Sequence, residues 1–348
     1  MNLASLAQLK LAMILPNLLL GIVFAAFLAA IMFIVQLSLV WAFLLAGIFI
    51  LIQYLIGPAI VRASTRLRYL RSGENPWLES TVSELARKSG VSSPRLAIVP
   101  SSTPNAFVFG RTSGDATLAL HEGLLTQLNK EEVRGVIGHE LGHIKHRDFL
   151  IMTALSSLPL LAYLIFRISF EAAWATGRTT RKKEGGGFAA ALFVVSALSY
   201  IVYIIALLCV MRLSRLREHY ADAYSAYVTG SPRSLGSALA KITYGLSLAP
   251  HPERDGARTL YIGDPALAKL EIQSVISKKD EYDLDRDGVL DQRELELAME
   301  KEARSRWLTV NRLFHTHPAT FQRILLLREI ESEMSTGKYS NDRVYAHV

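Results

Sequence analysis

The residues His139-Glu140-Leu141-Gly142-His143 carry the clearest chemistry in this sequence. Residues four apart stack on one face of a helix, so the two imidazoles can grip one ion with Glu140 beside it. Zinc suits imidazole and carboxylate ligands, and a catalytic zinc site takes three protein ligands and leaves the fourth position to water. A third ligand must come from elsewhere. The best candidate is Glu218, within Arg217-Glu218-His219-Tyr220-Ala221-Asp222. Asp222 lies one turn further along the same face, placed to accept the free ring N–H of a liganding histidine and fix its tautomer. The metal would lower the pKa of its water to about 7, and Glu140 would take the proton and pass it to a leaving amine. That is peptide-bond hydrolysis without an acyl-enzyme. A pentad alone also arises by chance on ordinary helices, and the second helix with Glu218 and Asp222 is what lifts the reading above chance. His121, His146, Asp148 and His219 read as helix-surface or membrane-interface residues.

The elements that must position these groups follow from periodicity and punctuation. Asn129 with Glu132 forms a capping box at the start of the His139 helix. No proline interrupts that helix from Lys130 to Pro159, so it is expected to run on into an apolar span. Upstream, 80–90 reads as a helix, and 95–99, 105–110 and 116–121 read as short strands of a small sheet. Hydrophobic residues make up 51% of the chain, a balance typical of a protein living partly in lipid. Leu11 to Val61 contains no Asp, Glu, Lys or Arg, whereas one crossing needs only about twenty apolar residues. Two spans fit, turning at Gln36 and Ser38, and the run is too long for a signal peptide. Phe149–Phe166, interrupted by Pro159, and Phe188–Met211 give two more. This hairpin returns the chain to the side His143 left, which lets Glu218 meet the pentad. Beyond it, a helix over 212–228 is expected to stop at Gly230 and Pro232.

Composition also excludes. Cys209, inside the last apolar run, is the only cysteine, so there is no intramolecular disulfide and no ready thiol mechanism. The formal charge of +7 does not indicate nucleic acid, because the basic residues cluster beside the apolar spans and no recognition module accompanies them. Lys10, Arg62, Arg66, Arg68, Arg71, Lys145, Arg147, Arg212, Arg215 and Arg217 flank the spans on the catalytic side. Arg167, Arg178, Arg181, Lys182 and Lys183 lie on the other. Ten against five favours a cytoplasmic catalytic side, while an outward-facing one would go against this charge rule.

Four motifs in order resemble the HtpX family of membrane-bound zinc metalloproteases, related to the CAAX prenyl endopeptidases: Asn105-Ala106-Phe107, the His139–His143 pentad, Arg217-Glu218 through Ala221-Asp222, and Thr316-His317-Pro318 followed by Arg323-Ile324. The resemblance covers most of the chain. It implies an α+β, mainly α protein: four transmembrane helices fused to a gluzincin-like zinc metalloprotease domain with a small β-sheet. It implies that Asn105, Ala106 and Phe107 form a sheet edge on which an extended substrate adds as a strand. It also implies that His317 stabilises the oxyanion and that Arg323 supports the site near Glu218 or Asp222. The implied activity is proteolysis of membrane or misfolded polypeptides in a prokaryotic-type cell membrane, with one zinc ion and the bilayer as partners. The expected segments are two spans in 1–65, catalytic parts in 66–148, 212–250 and 309–348, the hairpin in 149–211, and a charged insertion in 251–308.

One feature departs from that family. Asp283-Leu284-Asp285-Arg286-Asp287-Gly288-Val289-Leu290-Asp291-Gln292-Arg293-Glu294 reproduces a twelve-residue EF-hand loop. Asp283, Asp285, Asp287, Asp291 and Glu294 supply side-chain oxygens and Val289 its carbonyl, so one calcium ion is expected here, ordering the insertion. A solvated acidic turn is the plain alternative. Two other functions stay open: a catalytically silent calcium-binding membrane scaffold, against which the presence of Glu140 argues, and prenyl-peptide processing.

Overall fold

The structure, a computed structural model, describes Phe27 and residues 39–179, 183–248, 261–286, 294, 297–298, 301–302, 315–337 and 339. In chain order these form α1 (Leu39–Thr65), β1 (Arg68–Tyr69), α2 (Pro76–Ser89), β2 (Arg95–Val99), β3 (Ala106–Phe109), β4 (Thr117–His121), α3 (Glu122–Gln127), α4 (Lys130–Lys145), α5 (Asp148–Thr179), α6 (Lys183–Thr229), α7 (Pro232–Ser247), α8 (Pro265–Ser277), α9 (Lys279–Tyr282) and α10 (Thr320–Ser335). Two compact units emerge. Among the described residues, one takes in 58–150 and those from 214 onward, and the other 39–57 and 151–213 with Phe27.

The second unit is helical. Among the described residues, three helices are long and apolar enough to cross a membrane, over Gly47–Thr65, Ile151–Gly177 and Gly187–Thr229. The first of the four expected spans, within 11–38, lies outside the described residues. Leu51, Ile168, Trp174, Phe188 and Ile201 are exposed along these helices, which is stable only against an apolar solvent. Pro58 and Pro159 sit inside α1 and α5 without ending them, as membrane helices tolerate. At 1.5 Å per residue the 47 residues of α6 reach about 70 Å, far beyond a hydrocarbon core of about 30 Å. Its last turns, with Glu218 and Asp222, belong to the first unit.

The first unit holds a four-stranded sheet in the order β1-β2-β4-β3. β2 and β4 pair in parallel, with Ala97 opposite Ala119, while β1 and β3 pair antiparallel at the edges. The strands follow the expected runs within a residue. Ala97, Val99, Phe107, Phe109 and Ala119 form one buried cluster, with Val61, Leu67 and Tyr69 packed on it. α2 begins four residues earlier than its expected start, because the Asn75 side chain accepts from Leu78 N and Pro76 occupies the first turn. Gly90, at φ 64°, closes it as a left-handed cap.

α4 starts with the expected capping box, Asn129 and Glu132 satisfying each other's backbone N–H groups. It does not run into the span. It ends at Lys145, and Arg147, at φ 56°, breaks the chain before α5 begins at Asp148. Gly230, at φ 71°, ends α6 as expected, and Pro232 then opens α7. Within the stretch expected as a charged insertion, 261–282 belongs to the same unit as the pentad. Asp264 caps α8, whose Leu267, Ala268 and Val275 are buried. The buried face was obscured in the sequence by the charges around it.

Candidate metal centre

Side chains on α4 and α6 meet because the two backbones approach closely. A Cβ on Gly138 would lie 2.8 Å from Thr229 Cγ2 and 2.9 Å from Ser225 Oγ, and one on Gly142 would lie 3.2 Å from Ala221 Cα. Ser225 Oγ also donates to Gly135 O at 2.7 Å. This contact brings Glu218 to the pentad. His139 Nε2 and His143 Nε2 lie 3.1 Å apart, and Glu218 places Oε2 3.5 Å from the first and Oε1 3.6 Å from the second. Ligands about 2.0–2.1 Å from a tetrahedral zinc stand about 3.3 Å from one another, so the donor set fits that ion.

The outer atoms of the rings are held by carboxylates. His139 Nδ1 lies 2.9 Å from Asp222 Oδ1, and His143 Nδ1 lies 2.7 Å from Asp148 Oδ2. Each Nδ1–H donates outward, so each Nε2 turns its lone pair inward, an arrangement that a cation between them satisfies. Glu218 Oε2 is buried without a hydrogen-bond partner, which is the same demand seen from the third ligand. Burial disfavours charge on His139, yet Asp222 and Glu218 outweigh it and raise the imidazole to about 9. Burial raises the carboxyl of Glu140, the direction that suits a group alternating between base and acid.

Arg323 ties Asp222 to Glu218 and to Ile262. Its Nε and Nη2 fork the carboxylate of Asp222 at 2.7 Å each, and Nη1 donates to Ile262 O at 2.5 Å and lies 3.5 Å from Glu218 Oε2. His317 is buried with both ring nitrogens unpartnered, its Nδ1 3.5 Å from Glu218 Oε2. Asn105 precedes the edge strand β3, and its Oδ1 accepts from Ile262 N at 2.9 Å. Asn105, Ala106 and Phe107 are all buried, Phe107 within the core cluster. The Phe107 side chain therefore faces the core, and only the backbone of β3 is left along this edge.

The sequence profile described as Peptidase family M48 matches residues 72–331. This chain belongs to that family. Within it, the chain is similar to proteins described as Protease HtpX homolog. One from Methanothermobacter thermautotrophicus is 40% identical, over 69% of this chain and 88% of its own length. Those from Thermococcus kodakarensis and Methanocaldococcus jannaschii are each 34% identical, over 84% and 80% of this chain and 86% and 84% of their own lengths. Among solved structures, S. mikatae Ste24p aligns at 20% identity over 68% of this chain and 59% of that one, with a TM-score of 0.43. With its apolar helices, this M48 chain is a membrane metallopeptidase.

The pentad, Glu218, Asp222, His317 and Arg323 thus come together in the M48 chain as the sequence anticipates. Asp148 does not read from the sequence as it sits here. Expected on a surface, it is buried, accepts from His143 and pairs with Arg217, which also donates to His146 O at 3.2 Å. Burial opposes its charge, but the His143 hydrogen bond and the Arg217 cation overcome that and lower its pKa. His146 is no surface residue either: Nδ1 donates to Gly142 O at 2.7 Å, the ring stacks edge-on 4.0 Å from Tyr220, and burial lowers it to about 4. His121 is buried and donates from Nδ1 to Thr103 O, while His219 is half-buried. No local pattern marks Asp148, because its cation lies 69 residues away.

Proposed function

We propose that this M48 metallopeptidase is a zinc-dependent, multi-pass membrane endopeptidase acting on membrane or misfolded proteins, with His139, His143 and Glu218 as ligands. The convergence of ligand nitrogens and oxygens from three residues at 3.1–3.6 Å carries the reading. Zinc in such a site lowers the pKa of a water to about 7 and polarises a carbonyl. Glu140, next to His139 on α4, takes the proton and delivers it to the leaving amine. His317, whose Nε2 has no hydrogen-bond partner, donates from that ring to a developing oxyanion. Arg323 orients Asp222, which orients His139. An extended polypeptide adds to the outer edge of β3, which pairs with no other strand among the described residues. The excess of Lys and Arg beside the spans supports a cytoplasmic catalytic side. The test is casein cleavage by the detergent-solubilised full chain, stripped with a chelator and resupplied with zinc. Activity should vanish and return in wild type and stay absent in Glu218→Ala. Cleavage persisting in metal-stripped protein overturns the proposal and returns weight to a silent scaffold.

A second metal reading, calcium in the EF-hand-like loop, is supported by Asp283, Asp285 and Glu294, whose ligand oxygens lie within 4.8 Å of one another. Glu294 Oε1 also accepts from Leu284 N and Asp285 N at 2.5 and 3.3 Å, closing the loop on its last residue. Asp287, Val289 and Asp291 lie outside the described residues. Calorimetric titration of calcium into zinc-loaded protein should give heat that Asp283→Ala abolishes, and equal heats in the two sink the reading.

A further inference from the structure

We propose that Glu271 is a positioning residue for the peptidase site, holding the first turn of α10 so that His317 and Arg323 keep their places. The proposal rests on the peptidase reading above. Glu271 lies on α8 and is fully buried. Its Oε1 accepts from Phe321 N at 3.4 Å, and Thr320 lies beside the same carboxyl. Its Oε2 has no hydrogen-bond partner. Such a carboxyl is expensive to bury without a cation in contact, and burial raises it to about 7.

What it holds gives the cost a purpose. The first N–H groups of a helix need acceptors, and the N-cap of α10, Ala319, supplies no side-chain bond. Glu271 caps α10 from another helix. Arg323 follows two residues after Phe321 and forks Asp222. The other end of the same stretch is held at the N-cap of α8, about two turns before Glu271. Asp264 Oδ2 lies 2.7 Å from His315 Nδ1, and Arg215 Nη1 donates to His315 O at 2.6 Å. The peptide 315–321 is therefore clamped at both ends against α8, with His317 between the clamps. Releasing the Glu271 end frees His317 and Arg323 to move without removing any metal ligand.

The experiment uses the zinc-loaded full chain in detergent and compares wild type, Glu271→Gln and Glu271→Met by kcat and KM on a casein-derived peptide, by zinc content, and by amide hydrogen exchange. Gln keeps an accepting carbonyl and should hold kcat within about threefold. Met should lower kcat at least tenfold with KM within twofold and one zinc retained, and speed exchange at 320–323 at least tenfold with α4 unchanged. Glu271→Leu, which also removes the acceptor, should show the same signature if Met does not fold. Wild-type kcat and exchange in both the Met and Leu variants overturn the proposal, as does Gln behaving like Met. An inactive wild type counts against the peptidase reading, while the exchange data still decide the clamp.

Discussion

Replacing Asp148 should separate two functions of one carboxylate. It accepts from His143 and neutralises Arg217, itself only 5% exposed. In Asp148→Asn the ring loses its charged partner, and removal of such outer partners weakens metal binding by about 10–100-fold, or about 1.4–2.7 kcal/mol. Arg217 keeps the His146 carbonyl but loses its counter-ion, and a buried charge left unpaired costs about 3–5 kcal/mol. The single variant should therefore lose both zinc affinity and thermal stability. Adding Arg217→Met removes the stranded charge, so the double variant should regain most of the stability and none of the affinity. Competition with a chromophoric chelator reads the affinity, and a thermal melt in detergent reads the stability. Zinc affinity within threefold of wild type in Asp148→Asn would refute the argument. So would a double variant no more stable than the single one.

Two further outcomes follow from packing and burial. Gly142→Ala puts a methyl 3.2 Å from the Ala221 backbone; overpacking of this kind costs about 1–3 kcal/mol. Glu218, three residues from Ala221, must move with it, so melting temperature and zinc affinity should fall together, and a drop in neither means the close approach does not set the site. Glu271 sits at about 7 in the folded chain against an ordinary value of 4.5. The folded state then holds a proton that the unfolded chain has released, so stability is greatest below about 4.5 and declines as pH rises towards 7, by about 3 kcal/mol in all. Denaturant midpoints between pH 5 and 8 should show this decline in wild type and lose that part of it in Glu271→Gln, and equal slopes contradict it.

Where the fold reads from the sequence, the signals are local. Asn129 and Glu132 are three residues apart and form the box their types allow. The strand at 95–99 is bounded by Ser and Pro on both sides, and the one at 117–121 follows Gly114 and Asp115. His139 and His143 share a helix face by spacing alone. The misreadings share a cause in contacts distant along the chain. Arg147 adopts φ 56° with no glycine to announce it, so an unbroken helix was the natural expectation. Ile262, Asp264 and Glu271 look like part of a charged insertion until Asn105, His315 and Phe321 are brought to them. Gly138 and Gly142 could have been noticed as a small-residue face four apart, but what they pack against is Ala221, Ser225 and Thr229, some 80 residues on.

The central claim is that metal binding and proton transfer belong to different residues of one site, and zinc content and casein turnover measured on the same preparation of Glu140→Gln test it most directly. One zinc per chain should remain, with turnover reduced by about 10²–10⁴-fold, the typical contribution of a general base. Turnover within tenfold of wild type at full zinc content would contradict the account, because Glu140 would then not be moving the proton.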